Sequence, residues 1–327
     1  MRIALIGQAA FGEAVLSALQ KAGEDIVAVS SITGKPERPD ALWTAAEAVG
    51  VARFPTGKLK QPDVLDAFAA TKPDLGVMAF VTHILPQRVL DLPSLGTIQY
   101  HPSLLPRHRG IAAMHWAIRM GETKTGLSIF WVDAGIDTGP VLLQREVEIG
   151  RDDTVGSLYF DRLFAMGVDA LVESVRLVRE GKAPRTVQDE AKMTYEPPAD
   201  DANSAIVWMR PAREVYDLVR GSNPAPGAHA ILYATKVRIF DARLTLLDDP
   251  NATGATARTE HGEFPIAPGA ILASEADRID IAVLGGVLHA HRLQREGGKK
   301  LPAAEFAAEM RVVVGDGFED GVVAVTS

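Results

Sequence analysis

The chain has 327 residues, 47% apolar and 23% charged, with 34 basic against 42 acidic side chains. This is the profile of a globular protein of about two domains, and no apolar run approaches the roughly 20 residues that span a bilayer, so no membrane partner is expected. The net charge of −8 argues against broad attraction to nucleic acid, DNA included, and the lack of cysteine excludes disulfides, a thiolate nucleophile and a Cys-rich zinc site.

Met1-Arg2-Ile3-Ala4-Leu5-Ile6-Gly7 runs straight into a strand at 3–6 and a glycine turn, without a signal peptide's separate apolar and cleavage regions. A cytoplasmic location is the expectation. Gly7 and Gly12 flank the turn but lack the G-x-G-x-x-G spacing, so helix packing is a better reading than a dinucleotide site. Phe11, Val15, Leu16 and Leu19 follow at helical spacing. A strand at 26–29, helices at 41–49 and 64–70, and strands at 75–81, 94–101 and 127–132 continue the alternation. Residues 141–149 suit an antiparallel edge strand. Such alternation predicts an α/β domain with a Rossmann-like, mostly parallel sheet covered by helices on both faces. Residues 154–180 carry apolar side chains at 155, 159, 163, 166, 171, 175 and 178, the stripe of one long amphipathic helix.

Residues 182–205, with Pro184, Pro197, Pro198 and Asp200-Asp201, read as a linker. A helix at 212–220 and a turn at Asn223-Pro224-Ala225-Pro226-Gly227 come next. Short alternating strands then fall at 231–233, 236–240, 243–247, 279–284 and 287–293, with a hairpin signal at Gly285-Gly286. They predict a small, OB-like β-barrel. The expected organisation is a catalytic domain over 1–203, a barrel over 204–314 and a mobile, glycine-containing tail over 315–327.

Two loops stand out. His101 ends one strand and leads into His101-Pro102-Ser103-Leu104-Leu105-Pro106-Arg107-His108-Arg109-Gly110. Asp133-Ala134-Gly135-Ile136-Asp137-Thr138-Gly139 follows another strand. The ends of strands in open α/β sheets are where ligands sit, and an Asp that meets His101 makes a proton-handling pair. A metal site is not expected: His101 and His108 lack the H-E-x-x-H pattern, and Asp133 with Asp137 in a glycine loop suits backbone positioning. Ser103 lacks the G-x-S-x-G elbow of a hydrolase nucleophile. Taken alone, His101 reads first as a capped loop histidine. Phe80-Val81-Thr82-His83-Ile84-Leu85-Pro86 reads either as a pocket wall for a flat heterocycle or as a simple strand-to-helix connection.

The two loops together resemble the paired signature of the formyltransferases that use 10-formyltetrahydrofolate, and the separation of His101 from Asp137 matches as well. Ile6-Gly7-Gln8, Phe11-Gly12, residues 100–110, Ile129-Phe130-Trp131, Arg220-Gly221 and Pro226-Gly227 resemble the hydrolase domain of 10-formyltetrahydrofolate dehydrogenases. Pro268-Gly269 through Leu293-Gln294, Gly298-Lys299-Lys300-Leu301 and Ala304-Glu305-Phe306 are similar to the barrel of methionyl-tRNA formyltransferases. The resemblance implies the formyltransferase fold, 10-formyltetrahydrofolate as the formyl donor, no metal, and His101 and Asp137 as the catalytic pair. It implies that His83, Ile84 and Leu85 line the pterin pocket, that Ser103, Leu104, Leu105 and Pro106 contact folate, and that the loop with Asp133 and Gly135 closes the other side. Most of the superfamily has Asn two positions before the catalytic His. Here Gln99 stands there, the same amide on a longer arm, and the hydrolase domains of the dehydrogenases carry an aliphatic residue. Oxidation of the formyl group is not expected of a chain ending at Ser327.

These features imply an enzyme that moves the formyl group to water or a small acceptor and releases tetrahydrofolate. Methionyl-tRNA or an amino sugar is the alternative acceptor, and a folate-binding module without turnover the alternative class. Initiator tRNA is possible but not favoured: Lys35-Pro36-Glu37-Arg38-Pro39-Asp40 is short and balanced in charge, and Lys299-Lys300 is the one adjacent basic pair in 201–327.

Overall fold

A computed structural model describes residues 1–253, 256–259 and 262–321, with side chains described outside 256–259 and 262–265. The chain forms two compact units. The first comprises Met1–Ala113, Thr125–Glu148 and Tyr159–Pro197; the second comprises Met114–Lys124, Ile149–Leu158 and the described residues from Pro198 on. The division therefore differs from a single cut at 203, because two short inner segments belong with the C-terminal unit.

The first unit is built on seven strands: β1 (Arg2–Gly7), β2 (Asp25–Ser31), β3 (Arg53–Pro55), β4 (Leu75–Ala79), β5 (Thr97–His101), β6 (Lys124–Trp131) and β7 (Val141–Glu148). Their order is β3-β2-β1-β4-β5-β6-β7. The pairs from β3 to β5 are parallel, and β6 is antiparallel to β5. The edge position expected for 141–149 is thus found. Alternation along each strand feeds two core layers. Ile3 and Leu5 of β1 join Phe11, Leu16 and Leu171 on one face, while Ala4 and Ile6 join Phe68, Met78 and Val89 on the other. Burial on both faces explains the unbroken apolar run of β1. Each fully buried Leu or Ile contributes about 2 kcal/mol.

The same alternation positions the chemistry. Ile98 and Tyr100 of β5 lie in the first layer, so Gln99 and His101 share the opposite face. Where β1 ends beside β4, a Cβ on Gly7 would lie 2.5 Å from the Ala79 oxygen, so the close approach requires glycine. Asp40 anchors the neighbouring turn. It caps the helix Ala41–Ala48 through Leu42 N and Trp43 N, and also accepts from Ala9 N and Ser31 Oγ.

Three sequence expectations are corrected. The single helix over 154–180 is interrupted: Val155–Leu158 gives way to a π turn at Tyr159–Leu163 before Phe164–Arg179. The wider turn sets the Tyr159 ring among those of Phe80, Phe160 and Phe164. The linker over 182–205 is in its first part a packed segment, bridged at Thr186 to Val141 and at Tyr195 to Arg109. Gln188 and Glu196 in it are buried. The tail from Gly315 is held as far as residue 321. Gly317 bridges Ala270, Glu319 bridges Ile231, and buried Phe318 packs against Trp208. One aromatic anchor outweighs the glycines around it. Residues 322–327 lie outside the described residues.

The second unit has two four-stranded sheets whose recorded pairs are antiparallel. One is Ala228–Leu232, Thr235–Ile239, Arg292–Arg295 and Leu301–Pro302; the other is Ala242–Leu246, Gly286–Ala290, Ile279–Val283 and Ile271–Ser274. They share a core with Tyr216, Val237, Leu288 and Phe306, as the alternating strands predict. No described helix is long and apolar enough to cross a membrane.

Candidate active site

His101 is the last residue of β5 and is 4% exposed. Its Nε2 lies 2.8 Å from the main-chain oxygen of His108, seven residues on, where the loop doubles back. A carbonyl oxygen only accepts, so Nε2 carries the hydrogen. Nδ1 then faces Asp137, with Oδ2 at 3.5 Å. This is ion-pair range, longer than a well-formed hydrogen bond. Asp137 is 8% exposed and its Oδ2 also accepts from Gly110 N at 2.8 Å. The two signature loops therefore meet at one carboxylate.

Antiparallel pairing makes that meeting non-obvious. Val132, just past the end of β6, donates to the main-chain oxygen of Thr97, the first residue of β5, whereas His101 is its last. The 133–139 loop must turn back to reach His101. Asp137 does so in the left-handed region, φ 56°, a conformation that Asp tolerates better than most side chains. A Cβ on Gly139 would lie 1.7 Å from the Trp131 oxygen, so glycine is required for the return to β7. Asp133 Oδ1 accepts from Gly135 N and Thr138 Oγ1, holding the exposed half of the loop.

The His loop is braced from beneath. Ser103 is fully buried and donates to the Arg107 oxygen at 2.6 Å. Ser128, opposite His101 in the ladder, donates to the Ser103 oxygen and accepts from Leu105 N. Gln144 Nε2 donates to the Leu105 oxygen. Leu105 is buried, while Leu104 and Pro106 are half-buried. Gln99 is half-buried, and among the described residues its amide makes no hydrogen bond. His83 and Ile84 lie in an exposed loop after β4, Ile84 at 89%, whereas Leu85 packs in the core beside Val89. β4 and β5 are parallel neighbours, so that loop and the His loop leave the same edge of the sheet. Tyr100, on the face away from His101, has its hydroxyl buried, and burial pushes its ionisation up.

Several participants lie in the segment read as a linker. Thr194 Oγ1 accepts from His108 N, and the Thr194 oxygen accepts from Arg109 N. His108 Nδ1 pairs with buried Glu196 at 3.1 Å. Arg109 is 4% exposed; it donates to Gln188 Oε1 at 2.8 and 3.2 Å and forks onto Glu190 at 2.6 and 3.0 Å. Those hydrogen bonds from Arg109 hold the Glu190 carboxyl below its ordinary range. Gln188 Nε2 donates to the oxygens of Asp137 and Gly139 at 2.9 and 2.7 Å. Nothing in the local pattern of 186–196 announces these roles, because isolated polar residues in an irregular segment carry no period. Among the described residues no group of three His, Asp or Glu side chains is placed to hold a metal.

Two family models match the chain: one described as Formyl transferase over residues 1–175, and one described as Formyl transferase, C-terminal domain, over 199–311. The mitochondrial 10-formyltetrahydrofolate dehydrogenase of Mus musculus is 38% identical over 320 residues, covering 96% of this chain and 34% of that protein. The chain thus spans about a third of the length of the dehydrogenases it matches. A methionyl-tRNA formyltransferase of Ralstonia nicotianae is 36% identical over 337 residues, covering 97% of this chain and 98% of that protein. HypX from Aquifex aeolicus, solved in complex with tetrahydrofolic acid, shares the fold at a TM-score of 0.68 and 20% identity, covering 97% of this chain and 48% of HypX.

Proposed function

The chain belongs to the formyl transferase family, and from that premise we propose that it takes 10-formyltetrahydrofolate and passes the formyl group to water or a small amine, releasing tetrahydrofolate. The observation that carries this reading is the His101–Asp137 pair, buried and held by both signature loops. With Nε2 committed to His108, Nδ1 and Oδ2 have one exchangeable proton position between them. In hydrolysis, water attacks the formyl carbon and its proton passes to this pair. The pair returns a proton to the folate nitrogen as the carbon–nitrogen bond breaks, giving formate and tetrahydrofolate. When Nδ1 holds the proton, the imidazolium is also a donor to the developing oxyanion. Gln99, on the same face of β5, is the second donor in this scheme. The 83–85 loop and the 103–106 loop form the folate-binding walls; the Leu85 and Leu105 side chains are buried, and Leu105, whose main-chain groups are held by Ser128 and Gln144, shapes its wall from behind.

Formylation of methionyl-tRNA is the second reading, favoured by the nearly full-length match to the Ralstonia enzyme. Charge pairing supports the first. Lys236 and Arg238 are both tied to Asp201, at 3.1 and 2.6 Å, and Arg295 is tied to Glu309. Lys300 sits over the Phe240 ring. Cations so engaged give less of the phosphate affinity that tRNA binding needs. The 34–39 segment is a two-residue-stranded hairpin, with little reach. A filter-binding titration of initiator tRNA at physiological salt, with an assay for formylated methionyl-tRNA, separates the two. Weak binding and slow formylation are expected; micromolar binding with rapid formylation promotes the second reading.

A further inference from the structure

We propose that Gln188 is a positioning residue that sets the geometry of the His101–Asp137 pair. Its side-chain amide is buried and fully used. Both N–H groups are spent on main-chain oxygens of the 133–139 loop, those of Asp137 and Gly139. Its Oε1 takes two N–H groups of Arg109, which belongs to the His loop. One amide therefore joins the two loops that carry the reacting groups, next to the point where Gly110 N meets Asp137 Oδ2.

The site needs such a joint. Asp137 is left-handed and lies at the turning point of a loop that leaves the far end of its strand. Among the described residues, the loop's exposed half is held by Asp133 in its own short turn. Asp137's own carbonyl would otherwise be a buried acceptor without a fixed direction. Gln188 fixes that direction, and the peptide plane aims the carboxylate at Nδ1. Arg109 in turn holds Gln188 in its amide orientation: a guanidinium only donates, so it selects Oε1 and leaves Nε2 for the loop. Glu190 neutralises Arg109 from the exposed side.

The inference rests on the catalytic reading of His101 and Asp137. It predicts a role mainly in the chemical step: the hydrogen bonds of Gln188 go to Asp137, Gly139 and Arg109, and none goes to the 83–85 or 103–106 residues of the folate-binding walls. The test uses Gln188→Glu, which keeps the acceptors for Arg109 and removes both donors, beside Gln188→Leu, which removes both. In a crystal structure of Gln188→Glu, the 133–139 loop is expected to move so that the Nδ1–Oδ2 separation exceeds 4.5 Å. The kcat for formate release is expected to fall ~10–100-fold, as misplacement by about 1 Å does, with tetrahydrofolate binding within about threefold of wild type. A loop unchanged in position, or a loss confined to KM and tetrahydrofolate binding, overturns the proposal. Should Gln188→Leu fail to fold, Gln188→Glu carries the test alone. Should the wild type release no formate without an acceptor, it is water as the acceptor that fails, and the loop position in Gln188→Glu still decides the clamp.

Discussion

His101 Nε2 sits 2.8 Å from the main-chain oxygen of His108, and this contact decides which nitrogen is available for chemistry. The ring is turned so that Nδ1, not Nε2, addresses Asp137. A loop that merely presented a histidine would leave both nitrogens free. Here one is consumed by the backbone, which fixes the tautomer and the ring plane together.

Loss of either member of the pair should be severe without unfolding the protein. Asp137→Asn retains the left-handed preference and an oxygen for Gly110 N, but holds no exchangeable acid proton. His101→Ala removes the imidazole altogether. Each is expected to lower turnover by ~10²–10⁴ while the thermal midpoint of Asp137→Asn stays within a few degrees of wild type. Near-wild-type formyl release by folded Asp137→Asn would remove the carboxylate from the mechanism.

Gln99 tests the oxyanion assignment. Its amide shares a face with His101 and has no hydrogen bond to another described residue. Gln99→Asn, one methylene shorter, is expected to raise transfer to an amine acceptor, and Gln99→Leu to lower formyl release by about tenfold, less than the ~10²–10³ that a well-placed oxyanion donor is worth, because the longer arm makes Gln99 a weaker donor. A structure with bound folate in which the Gln99 amide is remote from both His101 and the formyl carbon would sink the idea.

The second unit predicts a pH dependence of stability. Burial, with a smaller contribution from the nearby Arg119 charge, lowers His115 to about 4, despite its contact with the Ala225 oxygen. The unfolded chain, with an ordinary histidine near 6.5, takes up a proton first as pH falls. Between about 6.5 and 4 the native state is therefore progressively disfavoured, by at most about 1.4 kcal/mol per pH unit; below about 4 this loss stops growing. His115→Gln keeps an N–H for Ala225 and cannot charge. Urea midpoints of this variant between pH 4 and 6.5 should fall less steeply than those of wild type; parallel slopes would show that His115 is not the group responsible.

How much of this was legible in the sequence follows from range. Period-two and helical spacing find β1, β4, β5 and the two-layer core, because those signals lie within a few residues. The His101 and Asp137 loops are legible as motifs. Their meeting is legible through the family resemblance and not through strand order, because β6 runs antiparallel and the Asp137 loop starts at the wrong end of it. Gln188, Thr194 and Glu196 are invisible for a related reason: each contacts a loop 50 to 90 residues earlier, from a segment whose prolines read as a linker. The π turn at Tyr159–Leu163 hides inside an apolar stripe that fits an unbroken helix equally well. Phe318 hides among the glycines of a tail.

The most direct test is incubation of the purified chain with 10-formyltetrahydrofolate and no acceptor, following formate and tetrahydrofolate together, with Asp137→Asn alongside. Wild type should release the two products one for one, at least ~100-fold faster than the variant. No formate from wild type, with rapid formylation once methionyl-tRNA is added, would contradict the assignment of water or a small amine as the acceptor.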